Sequence, residues 1–393
     1  MDKNLLIICN DFPDINNIFN KNIFIKDQIE YLKKYYNKVY IVVPLPFFFE
    51  LIRKRKYKNY AFDNVKIFFV KYFNILPFYF IFSSIWEYLE YFQIINFIKK
   101  NQLNFNLIHC HNTWPTCVLG IKIKEKTHIP LVLTEHSSAL YNKVISHKNK
   151  KILKIWEKCD AIIRVSPDIK KIEKFGIDKK KLYYIPNGYN EKKFYVINKK
   201  RCRDILKIPY NKKILISIGN LVKEKNHELL IYSIKELQKK FPDILCIIIG
   251  DGKRKTYLQK TINRLKLSNN IQLLGGKNQD EIKFWLNSSD ILIHPSLRES
   301  FGIVQLEAMA CGKPVVATYN GGSENIIISQ DYGLLCESRD ISDFTEVISK
   351  ALEIEWNSSK IINYANNYNL KEITKRIYKI HMNLLNDANF SIK

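Results

Sequence analysis

Arg298-Glu299-Ser300-Phe301-Gly302-Ile303-Val304-Gln305-Leu306-Glu307-Ala308-Met309-Ala310-Cys311-Gly312-Lys313-Pro314-Val315-Val316-Ala317 places two glutamates on either side of a Ser-Phe-Gly turn. Just upstream, Ile291-Leu292-Ile293-His294-Pro295-Ser296 reads as a buried strand stopped by a proline. The order is therefore strand, loop, helix from Ile303, glycine stop at Gly312, and a second strand. Free amides at Ser300, Phe301, Gly302 and Ile303, aided by the helix dipole, suit an anion such as a phosphate. Glu299 lies on the loop beside that position. Glu307, about one turn into the helix, offers two oxygens to a pair of vicinal hydroxyls. The competing reading makes Glu299 a helix cap and Glu307 part of a solvated face.

Outward from this stretch, short apolar runs alternate with amphipathic segments along all 393 residues. Strands are predicted at Leu5–Cys9, Val39–Val43, Val65–Val70, Leu107–His111, Leu131–Thr134, Ala161–Val165 and Leu182–Ile185. A second series follows at Ile214–Ile218, Leu245–Ile249, Ile271–Leu274, Ile291–His294, Pro314–Ala317 and Leu334–Cys336. Helical patterns separate them, including Ile23–Tyr35, Ile85–Lys99, His227–Lys239 and Ile303–Ala310, and Lys371–Leu385 ends the chain. Continuous apolar strands between helices indicate parallel sheets covered on both faces. The break falls between Asn187-Gly188 and about Pro209, across the polar run Asn198-Lys199-Lys200-Arg201. The expected domains are 1–195 and 196–375, with a helix or tail at 376–393.

Lys and Arg number 63 against 38 Asp and Glu, a formal charge of +25. Such a field attracts polyanions, but a chain rich in Lys, Ile, Asn and Tyr throughout also carries it as compositional bias. No nucleic-acid module is recognisable. The eight cysteines are scattered without metal spacing, as in a reducing cytosol. The N-terminus reads as a strand, and no run is apolar enough to span a membrane. The stretches Pro46–Lys58 and Ile75–Phe82 join aromatic clusters to a basic run, which suits an anionic membrane surface or, alternatively, a core and a charged loop.

The Glu299–Ala317 stretch resembles the signature of family 4 retaining glycosyltransferases, which have the GT-B fold: two doubly wound Rossmann-like domains facing across a cleft. Ser217-Ile218-Gly219-Asn220-Leu221-Val222-Lys223-Glu224-Lys225-Asn226-His227 resembles the first loop of that family's donor domain. Ile249-Gly250-Asp251-Gly252 is similar to its second strand end, and Tyr184–Asn190 to its domain junction. The resemblance implies a nucleoside-diphosphate sugar as donor, with Gly219, Asn220, Gly250, Ser300, Phe301, Gly302 and Ile303 around it. Glu307 would hold the ribose, Glu299 the transferred sugar and Lys225 the diphosphate. His136 would stand near the reacting carbon, with His111 and the Asn16-Asn17 loop on the acceptor side. His109 and His111 share one side of their strand, which also suits a metal pair short of further ligands. No cofactor and no metal are expected.

The family implies a lipid-linked or oligosaccharide acceptor and work in bacterial surface-polysaccharide synthesis, in the cytoplasm or at the inner face of the plasma membrane. Two positions depart from its pattern. Asn220 stands where an arginine usually partners the lysine, and the first loop, Asn10–Asn17, lacks its glycine pair. Arg298 is a candidate substitute cation. The rival readings are a catalytically degenerate nucleotide-sugar binder, favoured by Asn220, and a dinucleotide-dependent oxidoreductase. The latter predicts a Gly-x-Gly-x-x-Gly turn that the chain lacks.

Overall fold

A computed structural model of the chain describes residues 3–15, 22–47, 56–73, 83–136, 149–337 and 340–390. It divides into two compact units. The first runs to Pro186 and resumes at Lys371, and the second is Asn187–Leu370.

Eight strands form the sheet of the first unit: β1 (Asn4–Ile8), β2 (Lys38–Pro46), β3 (Tyr60–Phe62), β4 (Val65–Tyr72), β5 (Leu107–His111), β6 (Leu131–Glu135), β7 (Ala161–Arg164) and β8 (Leu182–Tyr184). Their order is β3-β4-β2-β1-β5-β6-β7-β8. Only the short edge strand β3, which the apolar pattern did not reveal, runs antiparallel to its neighbour. Among the described residues the longer helices before Pro186 are α1 (Ile23–Leu32), α2 (Ser83–Lys100), α3 (Val118–Thr127) and α4 (Lys150–Lys158). Both faces of β1 are buried: Leu6 and Ile8 join one core, Leu5 and Ile7 the other. That double burial explains the uninterrupted apolar run.

The second sheet has six parallel strands, β9 (Lys213–Ile218), β10 (Ile244–Ile249), β11 (Ile271–Gly275), β12 (Ile291–His294), β13 (Val315–Thr318) and β14 (Gly333–Cys336). Their order is β11-β10-β9-β12-β13-β14. Around it lie α5 (Lys199–Leu206), α6 (His227–Lys240), α7 (Lys255–Arg264), α8 (Gln279–Ser288), α9 (Ile303–Ala310), α10 (Ile341–Glu353) and α11 (Ser358–Ala365). In this order the chain reverses direction across the sheet once, between β9 and β12. Loops leaving the carboxyl ends of those two strands part there and open a crevice. In the first unit the same reversal lies between β1 and β5.

The boundaries differ from the expected 195/196 and 375/376. Residues just past Gly188 are already bonded to the second unit: Tyr189 N–H donates to Tyr368 O at 3.0 Å, and Ile197 N–H to Asn287 Oδ1 at 2.8 Å. The polar run at 198–201 is no linker. Asn198 caps α5 by accepting from Arg201 N–H, and buried Arg203 bonds Ser288 O and Asp290. Nor is the last helix, α12 (Leu370–Phe390), a separate tail. Its Ile373, Ile377 and Ile380, spaced to share one face, enter the core that holds Leu5 and Ile7. Tyr378 stacks on Tyr35 at 4.1 Å, and His381 Nδ1 pairs with Tyr36 Oη at 2.6 Å.

All eight cysteines are buried and free. No helix among the described residues is long and apolar enough to cross a membrane. Of the basic and aromatic stretches, residues 48–55 and 74–82 lie outside the described residues, as do Asn16 and Asn17.

If α12 is part of the first core, Ile377→Ala costs about 2–5 kcal/mol of stability, read as a lowered urea midpoint. The exposed Lys375→Ala control shifts it by no more than about 0.5 kcal/mol. Equal midpoints for the two variants would exclude that packing.

Candidate functional site

The crevice of the second unit gathers what the sequence scattered. After β9 the chain turns at Gly219 and, a few residues on, reaches Lys225, whose aliphatic stem lies 3.5–3.7 Å from the point a Gly219 Cβ would occupy. After β12 it passes Pro295 to Glu299. The two loops are tied where Leu297 N–H donates to Glu224 O at 2.7 Å. Across this junction the Lys225 ammonium meets the Glu299 carboxylate. His294 Nε2 lies 3.2 Å from the same carboxylate oxygen and 3.3 Å from Ser296 Oγ. A carboxylate only accepts, so His294 carries its proton on Nε2.

Burial pushes the Glu299 carboxyl up, but the His294 hydrogen bond and the Lys225 charge outweigh it and hold the group at about 2. Burial and the Lys225 charge lower the His294 imidazole, despite the Glu299 hydrogen bond. The same burial, with His294 and Lys225 nearby, brings His227 to about 3. At neutral pH the cluster therefore consists of one cation, one anion and two neutral imidazoles. Neither histidine was assigned from sequence. Their signal was position: one ends a strand, the other opens α6.

Glu299 does not cap α9. The N-cap is Gly302, at φ 92° and ψ 57°, with no side-chain cap. Only glycine takes that backbone conformation without strain. No side chain caps the first amides of α9. Phe301 turns its ring inward and is buried, so only its backbone is available to the site. Glu307 is buried on the helix, and the solvated-face reading fails.

Behind Glu299 sits a turn that sequence reasoning missed. Asn320 O accepts from Glu299 N–H at 2.9 Å, Asn320 Oδ1 accepts from the Gly322 and Ser323 amides, and Glu324 accepts from Asn320 and Gly321. Gly322 packs so closely that a Cβ would stand 2.9 Å from Phe301 O. Gly250 serves packing too: any Cβ there would strike the Gly219 carbonyl. Asn220 and Arg298 are both exposed, and Arg254, also near the Gly219 loop, is engaged by Glu228.

The first unit has its own cluster, at the carboxyl ends of β5 and β6. His111 Nδ1 and His136 Nε2 are 2.9 Å apart. His109 stacks on His111 at 4.6 Å and pairs with Thr134 Oγ1 at 2.8 Å. Burial lowers His109 to about 3 and His111 well below its usual range. The arrangement is clamped by buried Glu135, which accepts from Thr113 N–H and Oγ–H, while Arg164 donates to the Glu135 carbonyl. Among the described residues no group of three or more His, Cys, Asp or Glu is placed to hold a metal ion.

Two family models match the chain. "Glycosyltransferase Family 4" covers residues 24–193 and "Glycosyl transferases group 1" covers 198–368. An uncharacterized glycosyltransferase of Methanocaldococcus jannaschii is 34% identical over 64% of this chain and 66% of its own length, just under two thirds. Sucrose-phosphate synthase from Thermosynechococcus elongatus superposes with a TM-score of 0.77 at 17% identity, over 98% of this chain and 100% of that one. An Anabaena protein solved in complex with UDP gives 0.74 at 18% identity, over 97% and 100%. With the two family models side by side along its length and the GT-B fold throughout, the chain belongs to glycosyltransferase family 4.

Proposed function

We propose that the chain transfers a sugar from a nucleoside-diphosphate sugar to a hydroxyl, with retention at the anomeric carbon. The observation that carries this is the convergence of Lys225, Glu299, the uncapped start of α9 and buried Glu307 at the strand-order reversal of the second unit. That crevice offers a cation and the first amides of α9 to a diphosphate. It also offers one carboxylate to a ribose and another to a sugar. As the bond to the diphosphate breaks, negative charge grows on the leaving oxygen, and Lys225 with the α9 amides stabilises it. Glu299 stays ionised throughout the neutral range and faces the sugar as it becomes cationic. In the first unit, His136 is assigned to the reacting carbon and His111 to the acceptor. His111, held neutral by burial, and its hydrogen-bonded partner His136 suit groups that orient hydroxyls and pass a proton.

No step in this scheme calls for a metal. The acceptor we propose is lipid-linked or an oligosaccharide, in bacterial surface-polysaccharide synthesis on the cytoplasmic side of the membrane. Support for the lipid side comes from the charge of +25 and from α2, where Ile85, Tyr88 and Phe92 are exposed at helical spacing. The degenerate-binder reading keeps one observation in its favour: exposed Asn220 brings no charge to the diphosphate.

Purified protein is expected to bind at least one common nucleotide sugar in calorimetry. It should release the diphosphate with EDTA present, and give a product whose anomeric configuration by NMR matches the donor. Binding without release would establish the degenerate reading, and neither would end the donor reading. Glu307→Ala is expected to weaken donor binding roughly 10- to 100-fold, the worth of charge-assisted hydrogen bonds. Lys225→Ala should lower kcat by about 10²-fold. Unchanged values remove the residue from its role. Neutralising Arg53, Lys54, Arg55, Lys56 and Lys58 is expected to reduce sedimentation with anionic vesicles, and equal sedimentation would mark the charge as compositional.

A further inference from the structure

Gln305 is the third residue of α9. It is fully buried, and neither polar atom of its carboxamide has a hydrogen-bond partner. Its neighbours Leu306, Ala308 and Met309 are buried and apolar. A buried carboxamide without partners has given up its hydration for nothing, and an apolar side chain of similar shape would be at least as stable there. Packing alone supplies no reason for a glutamine. Groups that break local consistency in this way concentrate where a second state needs them.

The position of the carboxamide names that state. It lies against Gly302, where any Cβ would collide with it, and the Glu299 Cγ is 3.2 Å from the same point. The Gln305 N–H donates to Gly302 O at 3.0 Å, so main chain and side chain are both anchored at this turn. The amide thus stands next to Glu299 across a residue that has no side chain to intervene. In the structure the Glu299 carboxylate is engaged by Lys225 and His294. A diphosphate entering the crevice competes for Lys225, the stronger of those partners, and leaves Glu299 one donor short.

We propose that Gln305 is a positioning residue of the donor site, whose carboxamide takes over Glu299 when Lys225 turns to the diphosphate. This rests on the reading of the second unit as the donor domain. The amide N–H replaces the ammonium as the hydrogen-bond donor to the carboxylate. Glu299 is then held by neutral groups while Lys225 is freed for phosphate. A glutamine suits this exchange because it donates without adding a charge that would hold Glu299 away from the sugar.

Gln305→Met and Gln305→Leu remove both polar atoms at nearly constant volume. With UDP-glucose, UDP-galactose and GDP-mannose as probes, the wild type selects the donor. Each variant is expected to bind that nucleotide sugar about tenfold more weakly, equal to about 1.4 kcal/mol. The matching nucleoside diphosphate alone should weaken by a similar factor, because the diphosphate is what draws Lys225 from Glu299, whereas the nucleoside without phosphates should bind within about twofold. In the same variants the donor-free melting temperature should hold or rise, by up to roughly 2–4 °C. A purely structural glutamine gives the opposite pattern, with a lower melting temperature and unchanged donor affinity, and either of those results overturns the proposal. A wild type that binds none of the probes would instead overturn the donor reading itself.

Discussion

A parallel sheet that begins in its middle has to reverse once. Each crossover between parallel strands is right-handed, so a chain that lays strands to one side of its first strand must return to fill the other. In the second unit the reversal falls between β9 and β12, and in the first between β1 and β5. At each of these places two loops leave the same edge in opposite directions and part. The residues proposed for function follow from that constraint. Lys225 comes from the β9 loop and Glu299 from the β12 loop, while His111 ends β5.

What holds the crevice of the second unit in shape is electrostatic as much as steric. The Lys225–Glu299 pair is partly screened from water and tied to neutral His294, so it is stronger than a surface pair and still open to competition. Glycines at 219, 250, 302 and 322 let backbone approach backbone or side chain closely around it. The site thereby pairs its cation internally, yet holds it where an anionic ligand can compete for it. Buried, unpartnered Gln305 fits the same picture, since a site that exchanges partners carries groups in surplus in one of its states.

In the first unit the logic is burial rather than charge. Four imidazoles, His109, His111, His136 and His381, touch in series, and Glu135, held by Arg164 at its carbonyl, ties the strand end beside His136 to the turn after His111 through Thr113. Desolvation keeps the inner ones neutral. His381 reaches this group from α12, and so the last helix of the chain belongs to the first unit's core.

By itself, the sequence determined the alternation of apolar strands and helices, the two-sheet α/β plan and the loop-helix signature around Glu299 and Glu307. These are local: a strand buried on both faces must be apolar throughout, and a helix opening at glycine and closing at glycine shows in the letters. Strand ends were legible to within a few residues for the same reason. The edge strand β3, with its mixed exposure, was not, and α5 was hidden because its polar surface masks a few buried contacts. Only the tertiary structure decided which strand ends meet. The pairing of Lys225 with Glu299, the neutral state of His227 and His294, the burial of Glu307 and Gln305, and the docking of α12 all depend on contacts between residues distant along the chain. Burial sets the charge of each such group and distance sets its partner, and neither is a property of the neighbouring letters.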